Sequence, residues 1–191
     1  INITPDRGYT LSYRGVAREY HHSTGAAYTD PAVALNEKAP EPADYQPGTP
    51  VDIDVEIDDN NPIHGVPGCD RYYARIVKDF NPNAHTPNWM RRRLIRAGMR
   101  SISLAVDVTN YVMLDLGQPM HAYDLDKIEG PIVVRRAAEG EKLTTLDGKE
   151  HDLSVEDLLI TDSPDGKRGS RILGIAGVMG GLYGEVTADT K

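Results

Sequence analysis

The stretch from Gly130 to Asp162, "GPIVVRRAAEGEKLTTLDGKEHDLSVEDLLITD", decides the fold class. Three runs, "GPIVVRRA", "EKLTTLDGKEHDL" and "DLLITD", follow one another, each with the Val, Ile, Leu and Thr content of a strand and none with a helical period between them. Asp147-Gly148 in the middle run predicts a two-residue hairpin turn. Strands grouped in this way, without regular strand-helix alternation, point to an α+β fold of mixed or antiparallel sheets with a few flanking helices, and not to a doubly wound sheet.

The residues on the N-terminal side of this block read as helices. Leu104 to Leu116 carries a helical apolar spacing, with Ser103 placed to cap it and Gly117 to stop it. Ahead of it, "HTPNWMRRRLIRAGMR" predicts a helix with Thr86 as cap and Pro87 in the first turn, where its missing N–H costs nothing. Met90, Leu94 and Ala97 form its buried stripe, Gly98 ends it, and the other face is arginine. "GCDRYYARIVKDF" predicts a strand ending at the Asn81-Pro82-Asn83 turn, and "VDIDVEID" alternates Val51, Ile53, Val55 and Ile57 with acids, as a strand with one wet face does. "KAPEPADYQPGTP" has a linker composition. Nearer the start, Pro5 to Gly8 reads as a turn and Ser12 to His22 as a helix stopped by Gly25. After the strands comes "RILGIAGVMGG", apolar and punctuated by Gly174, Gly177, Gly180 and Gly181.

The chain has 191 residues, enough for one sizeable core, and a single cysteine, Cys69, which excludes intrachain disulfides and multi-cysteine zinc sites. No apolar run approaches the roughly 18 residues a membrane span requires, and the start lacks the layout of a signal peptide, so a soluble, cytoplasmic protein is expected. The chain has no initiator Met, which reads as a piece of something longer. A formal charge of −8 counts against a nucleic-acid partner, yet Arg91, Arg92, Arg93, Arg96 and Arg100 crowd into ten positions without an acid among them. Such a run is either a solvated face or a surface for an anionic partner.

The glycine-rich "GIAGVMGG" has neither the Lys-Ser/Thr ending of a phosphate loop nor the dinucleotide spacing. It reads equally as a pocket wall or as tight packing. The six histidines show no metal-ligand spacing, and no nucleophile has an evident histidine partner. On residue type alone, His121 just past a helix end hydrogen-bonds the last carbonyls or packs with an aspartate such as Asp124.

The long block Arg100–Gly130, "RSISLAVDVTNYVMLDLGQPMHAYDLDKIEG", resembles the signature of the bacterial phenylalanyl-tRNA synthetase β subunit. "ITPDRGYTLSYRGVAREY" resembles the end of that subunit's first module. "CDRYYARIV", "TPNWMRRRLIRAGMRSI", "IVVRRAAEGEKLTTLDGKEHDL" and "GIAGVMGG" resemble successive parts of its editing domain. The resemblance implies three segments: 1–48, the end of the first module plus linker; 49–68, a strand and connection; and 69–191, an editing domain incomplete at its C-terminal end.

It also implies a parent enzyme that charges the phenylalanine tRNA with ATP and magnesium as an α2β2 heterotetramer, the charging site lying on the α subunit. No cofactor is expected in this region, and no DNA or membrane partner. The editing domain of the family hydrolyses tRNA mischarged with tyrosine, selecting the added hydroxyl that the synthetic pocket rejects only modestly. By position, Thr109 and Asn110 fall on a pair lining the family's pocket, His121 on its histidine, and Ala176 with Gly180 on its wall of small residues. His121 would then serve as base, water-positioner or structural group. The family's tyrosine-recognising glutamate belongs to a block after "EVTADTK", so Glu185 is not its equivalent. Arg91, Arg92 and Arg96 are candidates for tRNA phosphates on charge alone. The alternative is a non-catalytic module docking tRNA or the α subunit.

Overall fold

The computed structural model describes residues 1–33, 53–59, 63 and 65–190. The expected linker from Lys38 to Pro50, and Val51 with it, lies outside the described residues. The chain divides into two compact units, neither continuous in sequence: 1–47 with 83–120, and 48–82 with 121–191. The helices of residues 88–116 therefore group with the N-terminal segment, whereas the segments read from the sequence ran linearly through 48 and 68.

The first unit is helical. A 3-10 turn over Pro5–Thr10 leads into α1, Tyr13–Thr24, whose Ser12 side chain accepts from the Gly15 N–H and whose end is fixed by Gly25 at φ 71°. Helix α2, Asn88–Arg96, buries Met90 and Leu94 against α3, Leu104–Leu116. Two details differ from the sequence reading. Thr86 does not cap α2; its hydroxyl is drawn to the Asp107 carboxylate, 2.5 Å away. Ala97 is exposed, because α2 ends at Arg96 and Gly98, at φ 84°, turns the chain before another helical turn forms. Ser103 caps α3 and Gly117 ends it, as expected.

Asp107 is fully buried. One carboxylate oxygen accepts from the hydroxyls of Thr86 and Ser101, each at 2.5 Å, and the other from the Ile102 N–H at 2.9 Å. It thus fastens the segments before α2 and before α3 to the first turns of α3, a role that charge pattern alone does not announce.

The second unit is built on a five-stranded sheet in the order β1-β2-β5-β6-β7. The strands are β1 Val55–Asp58, β2 Ile132–Arg136, β5 Leu158–Asp162, β6 Arg171–Ile175 and β7 Met179–Gly180; β1 runs parallel to β2 and the remaining pairs are antiparallel. A separate hairpin pairs β3, Lys142–Thr144, with β4, Glu150–Asp152. The sheet and helices together make the expected α+β class.

Asp147-Gly148 does turn this hairpin, but in a three-residue loop. Thr145 accepts from Gly148 and bonds back to Lys149, leaving Leu146, Asp147 and Gly148 between the pairs, with Gly148 in the left-handed region at φ 78°. That is a type I turn followed by a left-handed residue, which Asp-Gly suits as well as the two-residue form.

The strand expected over Gly68–Phe80 does not form. Its alternation is present, yet its backbone joins no ladder, and Tyr73 and Val77 stand 82% and 68% exposed. Strand propensity supplies a pleated surface and not the partner edge a strand needs.

The core lies on both sides of β2 and β5. Ile132, Ile160 and Leu173 gather Ile53, Val55, Tyr72, Tyr123 and Ala176 around them. Ala137, Leu143, Leu153 and Leu159 hold the hairpin side. Buried Asp162 receives Arg171 and the Glu129 N–H; buried Asp59 receives Arg136, whose guanidinium holds that carboxyl below its usual range. Among the described residues, no helix is long and apolar enough to cross a membrane.

Candidate functional site

His121 opens the second unit's return to the sheet. Its partner is neither a helix carbonyl nor Asp124. The Gly177 N–H donates to its Nε2 at 2.9 Å, while Asp124 is taken up by the Thr190 hydroxyl at 2.9 Å and the Asp126 N–H. Gly177 can present that N–H because the β6–β7 hairpin turns through Ala176, Gly177 and Val178, with Ile175 paired to Met179 and Gly177 at φ 70°. The Ala176 N–H is itself tied to the Leu158 carbonyl at 2.8 Å, which anchors the hairpin tip to β5.

A backbone N–H is only a donor, so the Nε2 it meets must carry its lone pair, and the proton of neutral His121 must sit on Nδ1. Burial pushes the His121 pKa down, which favours the same neutral form. The imidazole therefore offers Nδ1–H as a hydrogen-bond donor, its acceptor face being occupied. The ring lies parallel to that of Tyr123, 6.0 Å between centroids and 4° between planes.

Tyr123 and Tyr72 complete this end of the core. The Tyr123 hydroxyl is buried without a hydrogen-bond partner among the described residues, and burial, then Tyr72, pushes its pKa up. Burial, with a smaller effect of Cys69, pushes Tyr72 up to about 12. Ala176 packs on the same cluster. His121, Tyr123, Tyr72, Ala176 and Gly177 thus form one half-buried, largely apolar site with a donor ring at its edge. The tyrosines escaped the sequence reading, although Tyr123, two residues beyond His121, was within reach of it.

The other expected site residues fall elsewhere. Gly180 pairs with Gly174, and a side chain there would meet Leu146 at 3.1 Å. Thr109 and Asn110 belong to α3 in the first unit. The Thr109 hydroxyl donates to the Val106 carbonyl within its own helix at 2.8 Å, and the Asn110 amide has no partner among the described residues. Arg91, Arg92 and Arg96 are exposed on α2 and form no ion pair among the described residues. Among those residues, no group of three or more His, Cys, Asp or Glu side chains is placed to hold a metal ion.

Residues 68–191 match the family model of the B3/4 domain. The chain belongs to the B3/4 domain family. Over its whole length it is also 97% identical to the phenylalanine–tRNA ligase beta subunit of Bifidobacterium longum (strain NCC 2705), of which it covers 22%. It is 49% identical over its whole length to the beta subunit of the same name from Leifsonia xyli subsp. xyli (strain CTCB07), covering 21% of that protein. This B3/4 chain spans about a fifth of the length of the curated relatives it matches, and the resemblance read from its sequence to the synthetase β subunit is borne out. Among solved structures, an N-terminal fragment of the phenylalanyl-tRNA synthetase beta-subunit from Pyrococcus horikoshii is similar at 22% identity and TM-score 0.39, over 46% of this chain and 31% of that one.

Proposed function

We propose that this B3/4 chain is the part of a phenylalanine–tRNA ligase β subunit that clears tRNA mischarged with tyrosine by hydrolysing the aminoacyl ester. In this reading the complete protein works in the cytoplasm with α subunits as an α2β2 assembly on the phenylalanine tRNA. ATP and magnesium serve the charging reaction on the α subunit, and no residue of this chain is assigned to them.

The observation that carries the reading is the Gly177 N–H on Nε2 of His121. It fixes an imidazole whose remaining N–H, on Nδ1, can hold the ester carbonyl oxygen or the attacking water. Water adds to the carbonyl carbon, the bond to the ribose oxygen breaks, and that oxygen leaves with the proton water gives up; the products are free tyrosine and uncharged tRNA. Donation from a fixed, half-buried group stabilises the oxygen on which charge develops. With its acceptor nitrogen engaged, His121 is a donor and not the base. Tyr72, Tyr123 and Ala176 supply apolar walls beside it.

The test compares His121→Ala with the parent in the complete ligase. Deacylation of tyrosyl-tRNA should fall by a factor of about 100 or more, the scale of one lost stabilising donor, with phenylalanine charging unchanged. His121→Gln, which keeps a donor, should recover part of that loss. Equal losses in both reactions, with a lowered melting temperature, would refute the reading and make His121 structural.

A further inference from the structure

Helix α2 and the face of α3 beside it carry a surface that the hydrolytic site does not use. Trp89, Arg92, Arg93 and Arg96 follow the spacing i, i+3, i+4, i+7 and so share one stripe of α2, next to the buried row of Met90 and Leu94. No Asp or Glu occurs from Asn81 to Val106. Trp89 is 54% exposed, an expensive placement for an indole unless something covers it.

The indole is held in place. Its ring meets Tyr111 of α3 edge-on, 5.2 Å between centroids and 87° between planes. The Arg93 guanidinium lies 5.6 Å from the Trp89 ring and 5.8 Å from the Tyr111 ring and donates to the Tyr111 hydroxyl at 2.5 Å. Arg93 is thus committed to orienting the two rings, whereas Arg92 and Arg96 of the same stripe remain exposed without ion pairs among the described residues. A fixed, half-open aromatic face bordered by free guanidiniums is the arrangement that takes a base on the ring and phosphates on either side.

We propose that this stripe docks single-stranded RNA, with one unpaired base stacked on Trp89 and neighbouring phosphates paired by Arg92 and Arg96. An acidic protein surface would satisfy the guanidiniums and leave the indole uncovered. A duplex would offer its phosphates and no free base, because its bases are already stacked on each other. The choice of RNA over DNA rests on the function proposed above; the stacking geometry does not.

Trp89 is the only tryptophan of the chain, so its fluorescence reports this site alone. The 191-residue chain is titrated with a short mixed-sequence single-stranded RNA, with the same RNA annealed to its complement, with the DNA strand of equal sequence, and with polyglutamate. Single-stranded RNA should quench Trp89, with an affinity that falls as salt rises. Arg92→Gln and Arg96→Gln together should flatten the logarithmic salt slope by about 1.4, at roughly 0.7 for each phosphate left without its arginine. Trp89→Ala, followed by anisotropy of labelled RNA, should weaken binding roughly 5- to 150-fold, with the salt slope kept. Tyr111→Phe, which removes only the hydroxyl that Arg93 binds, should give a smaller loss in a chain of unchanged circular dichroism.

Absence of quenching by RNA would overturn the proposal, as would equal quenching by the duplex. Binding of polyglutamate as tight as that of RNA would assign the stripe to an acidic protein instead. Binding of DNA tighter than RNA would overturn the choice of RNA. None of these readouts involves ester hydrolysis, so the stripe can stand or fall separately from the site at His121.

Discussion

Asp107 is the side chain whose loss should be felt most in the helical unit. Asp107→Ala removes an acceptor for three donors: the hydroxyls of Thr86 and Ser101 at 2.5 Å and the Ile102 N–H at 2.9 Å. Hydrogen bonds to a charged group contribute about 1.5–3 kcal/mol each, but the three do not sum. Thr86 and Ser101 are only partly buried and can turn to water, and Ile102 is exposed, so its amide is partly rehydrated. Removing a fully buried carboxylate also removes the cost of its burial. A net loss of roughly 2–3 kcal/mol follows. With a urea slope of about 1 kcal/mol/M for a unit of this size, the midpoint should fall by about 2–3 M.

The assay is urea unfolding followed by tryptophan fluorescence. Trp89 is the sole tryptophan and sits on α2, inside the same unit, so its signal is not blurred by unfolding of the sheet. Asp107→Asn sharpens the test. Its carbonyl oxygen can keep the Ile102 N–H, and its amide can donate to one hydroxyl that turns to accept, so it should lose about half as much. The order parent, Asn, Ala is expected. A midpoint for Asp107→Ala within about 0.5 M of the parent would refute the reasoning, because a network of three bonds to a buried carboxylate would then contribute nothing net.

Two further outcomes follow from the second unit. At Gly174 an added Cβ would lie 2.9 Å from the Met179 carbonyl oxygen and 3.1 Å from the Gly180 Cα, both backbone, so Gly174→Ala should cost about 1–3 kcal/mol in thermal unfolding and weaken the Gly177–His121 bond, read as a shift of the His121 Nε2 resonance; unchanged stability would mean that β7 yields freely. Burial holds the His121 pKa below its ordinary value near 6.5, so below that pH the native state binds fewer protons than the unfolded chain. Its contribution should be complete above about pH 6.5 and decline as the pH falls towards the depressed native value. His121→Gln should flatten that part of the stability curve, and parallel curves for the two proteins would refute the assignment.

What could be read from the sequence was what a few neighbouring residues decide. Ser12 and Gly25 bound α1, and Ser103 and Gly117 bound α3, because a cap and a left-handed stop act within one turn of themselves. Thr86 shows the limit of that logic. It has the identity and position of a cap, but Asp107, 21 residues on, competes for its hydroxyl and wins through its charge. The strand expected after Cys69 fails for a related reason. Alternation is local, whereas the partner edge must come from elsewhere in the chain. The grouping of residues 83–120 with the N-terminal helix is likewise a matter of which apolar stripes meet, and linear order does not contain it.

The block "GIAGVMGG" brings these levels together, since it read equally as tight packing or as a pocket wall, and its glycines divide between the two. Gly174 and Gly181 are packing residues: a Cβ on the first would strike the Met179 carbonyl, and on the second the Leu173 carbonyl, each at 2.9 Å. Gly177 is different. Its positive φ aims an N–H at His121, and that one donor decides which nitrogen of the imidazole carries the proton. The chemistry available to the histidine is therefore set by the backbone conformation of a residue 56 positions away. A sequence can name the histidine and the glycine separately. Only the hairpin, closed at Ile175 and Met179 and tied to β5 through Ala176, makes one the determinant of the other.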